Sequence, residues 1–214
     1  MIISYTTKVS ESVQRLQEAL SARIPHYRYG CGVDKLQQYQ FFKDNNIFHP
    51  RWTTDKEEAA SWGTVVMARS SVRGQRGSGL QVVMGGQQLP DAAIYTEYLP
   101  HKREFRVNLF KDRVVSIREK VRQRGVTGDF HIRNQANGYI TTHCRPDAPR
   151  TLLGDVSLAA RKVSGSDFVG VDIGYNEYYN RAFVIEVNSG PSIEGSSVAL
   201  FVEAIIEDMG VVNG

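Results

Sequence analysis

Apolar and polar positions follow two different periods along this chain, which divides it into helices and strands. Apolar residues at helical spacing predict helices over 9–22, 34–45, 54–62, 155–163 and 196–209, the third with Thr54 as its N-cap. Alternating or continuous apolar runs predict strands over 2–6, 64–68, 80–84, 93–99, 104–110, 113–120, 168–173 and 182–188. The segment 125–147 is rich in glycine, asparagine and arginine, and we expect a long loop there. Helices and hairpins mixed in this way predict an α+β fold with mainly antiparallel sheets.

Composition fits a globular protein of one domain, or of two small lobes that share a cleft. The chain has 214 residues, of which 41% are hydrophobic and 23% charged. No apolar run is long enough for a transmembrane helix, and the N-terminus lacks the features of a signal peptide. The two cysteines, Cys31 and Cys144, lack metal-binding spacing and predict reduced thiols, with a single disulfide as the alternative. We therefore expect a cytoplasmic protein without a membrane partner.

Charge is distributed unevenly along the chain. Residues 101–124 hold nine Lys/Arg against three Asp/Glu, whereas residues 151–214 hold three Lys/Arg against nine Asp/Glu. A basic middle and an acidic end suit a site for a polyphosphate and a metal ion. Solvated surface charge explains the same pattern, and nucleic acid could also use the basic segment. The positions of the charges within each strand must therefore decide between these interpretations.

Two apolar strands near the C-terminus carry acids within the pattern FVGVDIGYNEYYNRAFVIEVNSGPSIEGSS. Glu186 and Asn188 are two residues apart, so one strand presents both side chains on the same face. If the turn is centred near Tyr179, Asp172 lies opposite Glu186 on the partner strand. Two carboxylates and an amide oxygen form an all-oxygen site of the kind that Mg²⁺ uses when nucleotide phosphates supply further ligands. The alternative is a pair of unrelated acids at strand ends.

The hairpin EFRVNLFKDRVVSIREKVRQ has one apolar face and one basic face. Its apolar face is predicted to hold Phe105, Val107, Leu109, Val115, Ile117 and Val121. Its polar face is predicted to hold Glu104, Arg106, Asn108, Ser116, Arg118, Lys120 and Arg122. A merely solvated face would usually interleave both signs of charge. The basic face therefore indicates binding of phosphate or of another anionic substrate.

Two apolar strands enclose a glycine- and serine-rich loop in TVVMARSSVRGQRGSGLQVVM. Its glycines are Gly74, Gly77 and Gly79, and no acid lies near them. Glycines allow successive backbone N–H groups to surround phosphate oxygens. The loop lacks the Gly-Lys-Ser/Thr ending of a P-loop, and a flexible hairpin turn gives the same pattern.

The order of these parts resembles the ATP-grasp superfamily. The most specific part is VDI…VIEVNSGPSIEG, and the resemblance extends from about Phe42 to the C-terminus. The chain is similar to the carboxylate–amine ligase branch, such as ribosomal-protein glutamate ligase, and to short ATP-grasp proteins encoded by bacteriophages. This implies two lobes of mainly antiparallel sheet with helices and an ATP cleft between them. Residues 1–60 would form a reduced N-terminal region, 61–99 a glycine-rich lid lobe and hinge, and 100–214 a metal-binding lobe, the ATP-grasp domain covering 61–214.

The resemblance also implies a role for each matching residue. The implied metal ligands are Asp172, Glu186 and Asn188. The implied nucleotide-binding residues are Glu97, Tyr98 and Leu99 for adenine, Glu104 for the ribose, Arg69 for phosphate, Lys120 for phosphate or adenine, and Gly77, Ser78 and Gly79 in the lid. The residues implied near the γ-phosphate and the acyl substrate are Arg106, Arg133 and Asn134. Arg69 departs from the family, which usually has lysine there. The histidines, including His131 and His143, match no catalytic position and are expected to be structural or surface residues.

The implied function is ligation of a carboxylate to an amine through an acyl phosphate, with ATP and Mg²⁺, or Mn²⁺ in its place. No protein nucleophile is needed, since the reaction depends on positioning and on stabilisation of charge. The acceptor would be a peptide, a protein tail or another macromolecule lying across an open cleft, and nucleic acid is not expected as a partner. If a bacteriophage encodes the chain, it would act in the host cytoplasm. Two alternatives stay open, a kinase of the same fold that phosphorylates a hydroxyl and a nucleotide-binding interaction protein without catalysis.

Overall fold

The computed structural model describes residues 2–4, 11–20, 27–73 and 79–210. The helices are α1 (Glu11–Ala19), α2 (Lys35–Asp44), α3 (Lys56–Ser61), α4 (Arg150–Ala160) and α5 (Ser196–Asp208). The strands are β1 (Ile2–Ser4), β2 (Tyr27–Tyr29), β3 (Trp52–Thr53), β4 (Val66–Arg69), β5 (Leu80–Val83), β6 (Ile94–Glu97), β7 (Arg103–Phe110), β8 (Arg113–Arg122), β9 (Tyr139–His143), β10 (Phe168–Asn176) and β11 (Arg181–Asn188). Short 3-10 turns lie at Gln135–Asn137 and Arg161–Val163.

Two antiparallel sheets form the framework of the molecule. The larger has the strand order β11-β10-β7-β8-β9, and the smaller has the order β3-β6-β4-β5. β1 and β2 form a separate parallel pair. These elements confirm the predicted α+β class with mainly antiparallel sheets. None of the described helices is long and apolar enough to cross a membrane.

Separate hydrophobic clusters hold the two sheets and their helices together. The main cluster joins one face of the large sheet, with Phe105 and Val171, to α4 and to Phe42 of α2. A second cluster packs α1, α5 and β2 against the other end of the sheet, around Phe168. A third lies beneath the small sheet and includes Ala59 of α3. The polar side chains Glu104 and Asp172 of the large sheet lie outside these clusters.

Local side chains determine where helices α2 and α3 begin. Asp34 and Gln37 form a capping box at α2, because each side chain hydrogen-bonds the backbone N–H of the other at 3.0 Å. The N-cap of α3 is Asp55, whose carboxylate accepts hydrogen bonds from the N–H groups of Glu57 and Glu58. The prediction of Thr54 as this cap was therefore wrong by one residue.

Strand β9 lies inside the segment that was predicted to be a loop. It pairs with β8 from Arg122 opposite Tyr139 to Arg118 opposite His143. As an edge strand it is mostly exposed, so its residues YITTH lack the strong apolar alternation that marks a buried strand. The prediction of a continuous loop over 125–147 was wrong for this reason.

A β-bulge changes the expected faces of the β7–β8 hairpin. Asn108 pairs with Ser116, and Leu109 pairs with Val114, so Val115 is the extra residue. Val115 consequently packs against the cluster of α1 and α5, whereas Ile117 packs against the main cluster. The prediction that both residues share one face was wrong, because strict alternation does not foresee a bulge.

Candidate functional site

The acids of β10 and β11 meet as the sequence pattern predicted. Asp172 lies directly opposite Glu186 in the antiparallel register. The Asn188 side chain lies on the same side and donates a 3.1 Å hydrogen bond from Nδ2 to Glu186 Oε1. Asp172 is buried, at 2% exposure. Three oxygen-bearing side chains therefore converge at one place on the sheet.

Each of these carboxylates is held by a cation. Arg106 on β7 lies opposite Asp172 and binds both of its carboxylate oxygens, with Nη2 at 2.7 Å from Oδ2. Lys35, in the first turn of α2, donates a 2.6 Å hydrogen bond from Nζ to Glu186 Oε2. Burial by itself raises the pKa of Glu186, but Lys35, Arg69 and Arg106 outweigh it and hold that pKa far below its usual range. Glu186 is therefore ionised under all ordinary conditions.

Glu104 forms a second acidic position on the same face, two residues before Arg106. Its Oε1 accepts a 2.5 Å hydrogen bond from Lys120, directly opposite on β8, and its Oε2 lies 3.3 Å from His101 Nε2. Arg133 Nε lies 3.8 Å from the same Oε2. Burial raises the pKa of Glu104, but Lys120 and His101 outweigh it and lower that pKa to about 2. Lys120 also reaches Asp172 Oδ2 at 3.3 Å, so it links the two acidic positions.

Arg69 brings positive charge from the small sheet to the same cleft. It ends β4, and its charge helps to lower the pKa of Glu186 on the large sheet. Its Nε is buried and has no hydrogen-bond partner in the described part of the chain. Such an atom indicates room for an acceptor that binds there. Gly79 closes the same hairpin at φ +67°, where an added Cβ would lie 2.1 Å from Ser70 Oγ. Gly77 and Ser78 lie outside the described residues.

The predicted adenine hinge joins the two sheets. Glu97 receives two hydrogen bonds from Arg51, at 2.9 and 3.0 Å, and so is held by the small sheet. The Tyr98 N–H donates to Val65 O at 2.8 Å. Leu99 O lies 2.7 Å from His101 Nδ1. The described contacts therefore fix the position of this segment, and its role with adenine stays a prediction.

The segment before β9 folds back onto the hinge. Arg133 donates hydrogen bonds to His101 O at 2.6 Å and to Lys102 O at 3.1 Å. Asn134 caps the following 3-10 turn by accepting from the Asn137 N–H at 3.0 Å. The structure thus places Arg133 with Glu104 at the hinge end of the cleft, whereas Arg106 lies with Asp172. The resemblance had implied that Arg106, Arg133 and Asn134 lie near the γ-phosphate and the acyl substrate, and this role stays a prediction.

A basic cavity of about 410 Å³ opens beside this hinge segment. Its lining residues are Lys102, Glu119, Lys120, Val121, Arg122, Arg133, Tyr139 and Arg145. Glu119, its acid, is bound by Arg103 at 2.8 and 2.9 Å and by Arg145 at 3.1 Å. The cavity therefore extends the positive surface from Lys120 towards the edge strand β9.

Two site residues were missed from the sequence, namely Lys35 and His101. Lys35 was read as part of an ordinary helix, although a lysine in the first helical turn is unfavourable next to the positive end of the helix dipole. No acid accompanies it in that turn of α2. This conflict is a signal that could have identified Lys35 as the partner of a distant carboxylate. No comparable signal marks His101.

The oxygen donors of this site fit Mg²⁺. Asp172, Glu186 and Asn188 offer two carboxylates and an amide oxygen, which are ligands that hard cations prefer. No group of three or more His, Cys, Asp and Glu side chains is arranged to hold a metal in the described residues. Two carboxylates and one amide are too few donors to enclose a cation, so a cation bound here would share its coordination with further ligands such as phosphate oxygens.

Solved structures with the same architecture are found among ATP-grasp proteins. A D-alanine–D-alanine ligase from Bacillus anthracis aligns with a TM-score of 0.64 and 17% identity, over 94% of this chain and 70% of its own. The ATP-grasp ligase PsnB, complexed with a minimal precursor, aligns with a TM-score of 0.60 and 16% identity, over 85% of this chain and 65% of its own. Carboxyaminoimidazole ribonucleotide synthase from Aspergillus clavatus, complexed with ATP, aligns with a TM-score of 0.56 and 17% identity, over 74% and 45%.

The chain therefore has the ATP-grasp fold, as its motifs predicted. It spans less than two thirds of PsnB and less than half of the ribonucleotide synthase. The sequence matches no protein-family model and no curated protein. At such low identity the likeness defines the fold, and the activity has to be argued from this chain's own residues.

Proposed function

We propose that this chain is an ATP- and Mg²⁺-dependent ligase that joins a carboxylate to an amine through an acyl phosphate and releases ADP and phosphate. One observation carries the proposal: Asp172 and Glu186 face each other across β10 and β11, beside Arg106 and Lys35 and within range of Arg69 from the other sheet. Acids and cations so arranged can hold a triphosphate together with its metal ion.

The nucleotide would lie along the cleft from the hinge to these acids. The proposal assigns adenine to Glu97, Tyr98 and Leu99, in the segment that joins the two sheets. It assigns the ribose hydroxyls to Glu104, whose low pKa keeps it an acceptor of hydrogen bonds. Arg69, Lys120 and the 77–79 loop would hold phosphates. The proposed lobes, 61–99 and 100–214, meet at this hinge, with β3 and α3 of the preceding region joining the smaller sheet.

The metal ion would be held by Asp172, Glu186 and Asn188, with Mn²⁺ as an alternative to Mg²⁺. When bound, it supplies neutralisation of the charge on the phosphate oxygens. ATP and Mg²⁺ with ADP also occur in the structures of two proteins with this fold, the Bacillus anthracis ligase and PsnB. The donor set supports the same cofactors here.

The chain's own groups supply positioning and positive charge. The guanidinium of Arg106, whose pKa is raised by Asp172 despite burial, stays charged and can stabilise the phosphoryl group as it moves. The proposal keeps Arg133 and Asn134 as residues that order the substrate side through the segment before β9. PsnB is described in complex with a precursor peptide. A peptide or protein tail is accordingly our proposed acceptor, reached through an open cleft.

Product analysis tests this proposal. Purified protein is incubated with MgATP, hydroxylamine as the amine, and a mixture of amino acids and short peptides, and products are identified by mass spectrometry. The proposal predicts ADP release that depends on the carboxylate and on Mg²⁺, with hydroxamates as products. Phosphate esters instead of hydroxamates would indicate a kinase. ATP binding without any turnover would indicate a nucleotide-binding protein without catalysis.

A further inference from the structure

A single row of side chains crosses the whole large sheet at the level of the proposed metal site. Glu186 lies opposite Asp172, Asp172 opposite Arg106, Arg106 opposite Arg118, and Arg118 opposite His143. Residues directly opposite in antiparallel strands present their side chains on the same face. Acids therefore occupy the β11 side of this row, and basic groups continue it to the β9 edge.

Arg118 differs from the other buried or half-buried cations of this face. Arg106 binds Asp172, Lys120 binds Glu104, and Lys35 binds Glu186. Arg118 makes no ion pair with a carboxylate in the described ranges; its Nη2 donates to Ser196 Oγ at 2.7 Å, and its Nη1 lies 3.1 Å from each ring nitrogen of His143. The guanidinium is thus held in place by neutral or weakly basic groups and keeps its charge available for an anion.

The surroundings of Arg118 connect it to the acids. Ser196 begins α5, and the segment 189–195 runs from there back to Asn188. Pro191 of that segment packs near Arg106, since a Cβ at Gly170 would lie 3.2 Å from Pro191 Cβ and 3.1 Å from Arg106 Nη1. Arg106 and Arg118 therefore border one space, which the start of α5 limits on one side and the exposed His143 leaves open at the other.

We propose that Arg118, with Ser196 and His143, binds the carboxylate that is activated in the reaction. This inference rests on the proposed ligase function. Strands in a sheet are spaced about 4.8 Å apart, so Arg118 lies about 10 Å from Asp172 across two spacings, on the far side of Arg106. A guanidinium presents a planar pair of donors that matches a carboxylate.

The first step in this arrangement, transfer of the phosphoryl group to the carboxylate, needs no proton transfer. One oxygen of the carboxylate held by Arg118 forms a bond to the γ-phosphorus. The bond between that phosphorus and the β–γ bridging oxygen breaks, and ADP leaves with the electron pair. The amine nitrogen then forms a bond to the carbonyl carbon of the acyl phosphate, the bond between that carbon and the phosphate oxygen breaks, and inorganic phosphate leaves with the electron pair. The proton that the amine loses passes to solvent. Arg118 acts before the transfer, by orienting the carboxylate next to Arg106.

Binding of glutarate to the protein saturated with Mg²⁺ and ADP tests this site. Glutarate is a dicarboxylate and serves as the charged probe. Glutaramide has nearly the same shape but no charge and serves as the control compound. Chemical-shift titration of wild type should show saturable binding of glutarate and none of glutaramide. Arg118→Gln should weaken glutarate binding at least tenfold and leave ADP affinity within about twofold, while Arg118→Lys should recover part of the binding.

A matched control is Arg122→Gln. Arg122 lies on the same strand and face as Arg118, four residues nearer the hinge, and its Nη2 donates to Gly128 O. It should bind glutarate as wild type does. Three results would overturn the assignment: no binding of glutarate by wild type, equal loss in both variants, or an equal loss of ADP affinity in Arg118→Gln. If wild type did not bind Mg²⁺ and ADP at all, the proposed function itself would fail first.

Discussion

Glu104 and Lys120 lie directly opposite each other on β7 and β8, and Lys120 Nζ donates a 2.5 Å hydrogen bond to Glu104 Oε1. The same ammonium lies 3.3 Å from Asp172 Oδ2. One lysine thus couples the position proposed for the ribose to the position proposed for the metal. Glu104 is kept ionised, and both acids are held in place, before any nucleotide binds.

The first prediction concerns the ribose. Glu104→Ala should weaken ATP binding by about 1–3 kcal/mol, the range for losing a hydrogen bond to a charged group. A dideoxy analogue of ATP, which lacks the ribose hydroxyls, should lose much less. Calorimetry with both nucleotides measures this difference, and Glu119→Gln, which changes a neighbouring acid on the opposite face, serves as the control. Equal losses for both nucleotides would exclude a ribose contact.

The second prediction concerns phosphate binding by Arg69. Arg69→Ala should raise the KM for ATP and lower kcat together, since it removes contacts in both the ground state and the transition state. Arg69→Lys should recover only part, because a two-pronged contact becomes a single point charge. Steady-state kinetics on the two variants decides the matter. Near-wild-type values for Arg69→Ala would show that the position does not serve ATP.

The third prediction concerns the pair of Lys35 and Glu186. Removing one member leaves a half-buried charge without its partner, so Lys35→Met should lower the free energy of unfolding by on the order of 1–4 kcal/mol. The double variant Lys35→Met with Glu186→Gln should be more stable than the sum of the two single changes implies. Urea denaturation of the four proteins gives this coupling. Simple additivity would mean that the 2.6 Å contact contributes nothing to the fold.

The fourth prediction concerns acid stability through Glu119. Burial raises the pKa of this group, but Arg103 and Arg145 outweigh it and lower the pKa from 4.5 to about 2. Because the folded-state pKa is depressed, the stabilisation is present above the ordinary pKa and is lost as the pH falls through the window between these values. One pKa unit corresponds to about 1.4 kcal/mol, so the effect is on the order of 3–4 kcal/mol. The stability gap between wild type and Glu119→Gln should therefore be large near about pH 7, smaller near about pH 3 and mostly lost near about pH 2. A difference in stability between the two proteins that does not change with pH would contradict this prediction.

The sequence predicted most of the large sheet, because its strands are long and strongly apolar. The opposition of Asp172 and Glu186 followed from the position of one turn, and the structure confirms it. Strand β9 escaped prediction because edge strands have little buried surface. The bulge at Val115 escaped because alternation cannot count an extra residue.

The site was predictable only in part, since the missing contacts join distant segments. Lys35 and Glu186 are 151 positions apart, and only the folded chain shows that α2 aims its first turn at β11. The position of Arg133 could not be predicted for the same reason, because its contacts with His101 and Lys102 depend on how the segment before β9 folds back. Motifs therefore identify the strands of such a site more readily than the cations that surround it.

The most direct measurement of the central claim is the Mg²⁺ dependence of ATP binding in wild type and Glu186→Gln. Exchanging a carboxylate for a neutral amide should remove most of the increase in ATP affinity that Mg²⁺ produces and should abolish turnover, while circular dichroism shows an unchanged fold. The matched control is Glu177→Gln, in the turn between β10 and β11, which should behave as wild type. If Glu186→Gln kept the Mg²⁺ dependence and turned over ATP at limiting Mg²⁺, the acids of β10 and β11 would not form the metal site, and the account would be wrong.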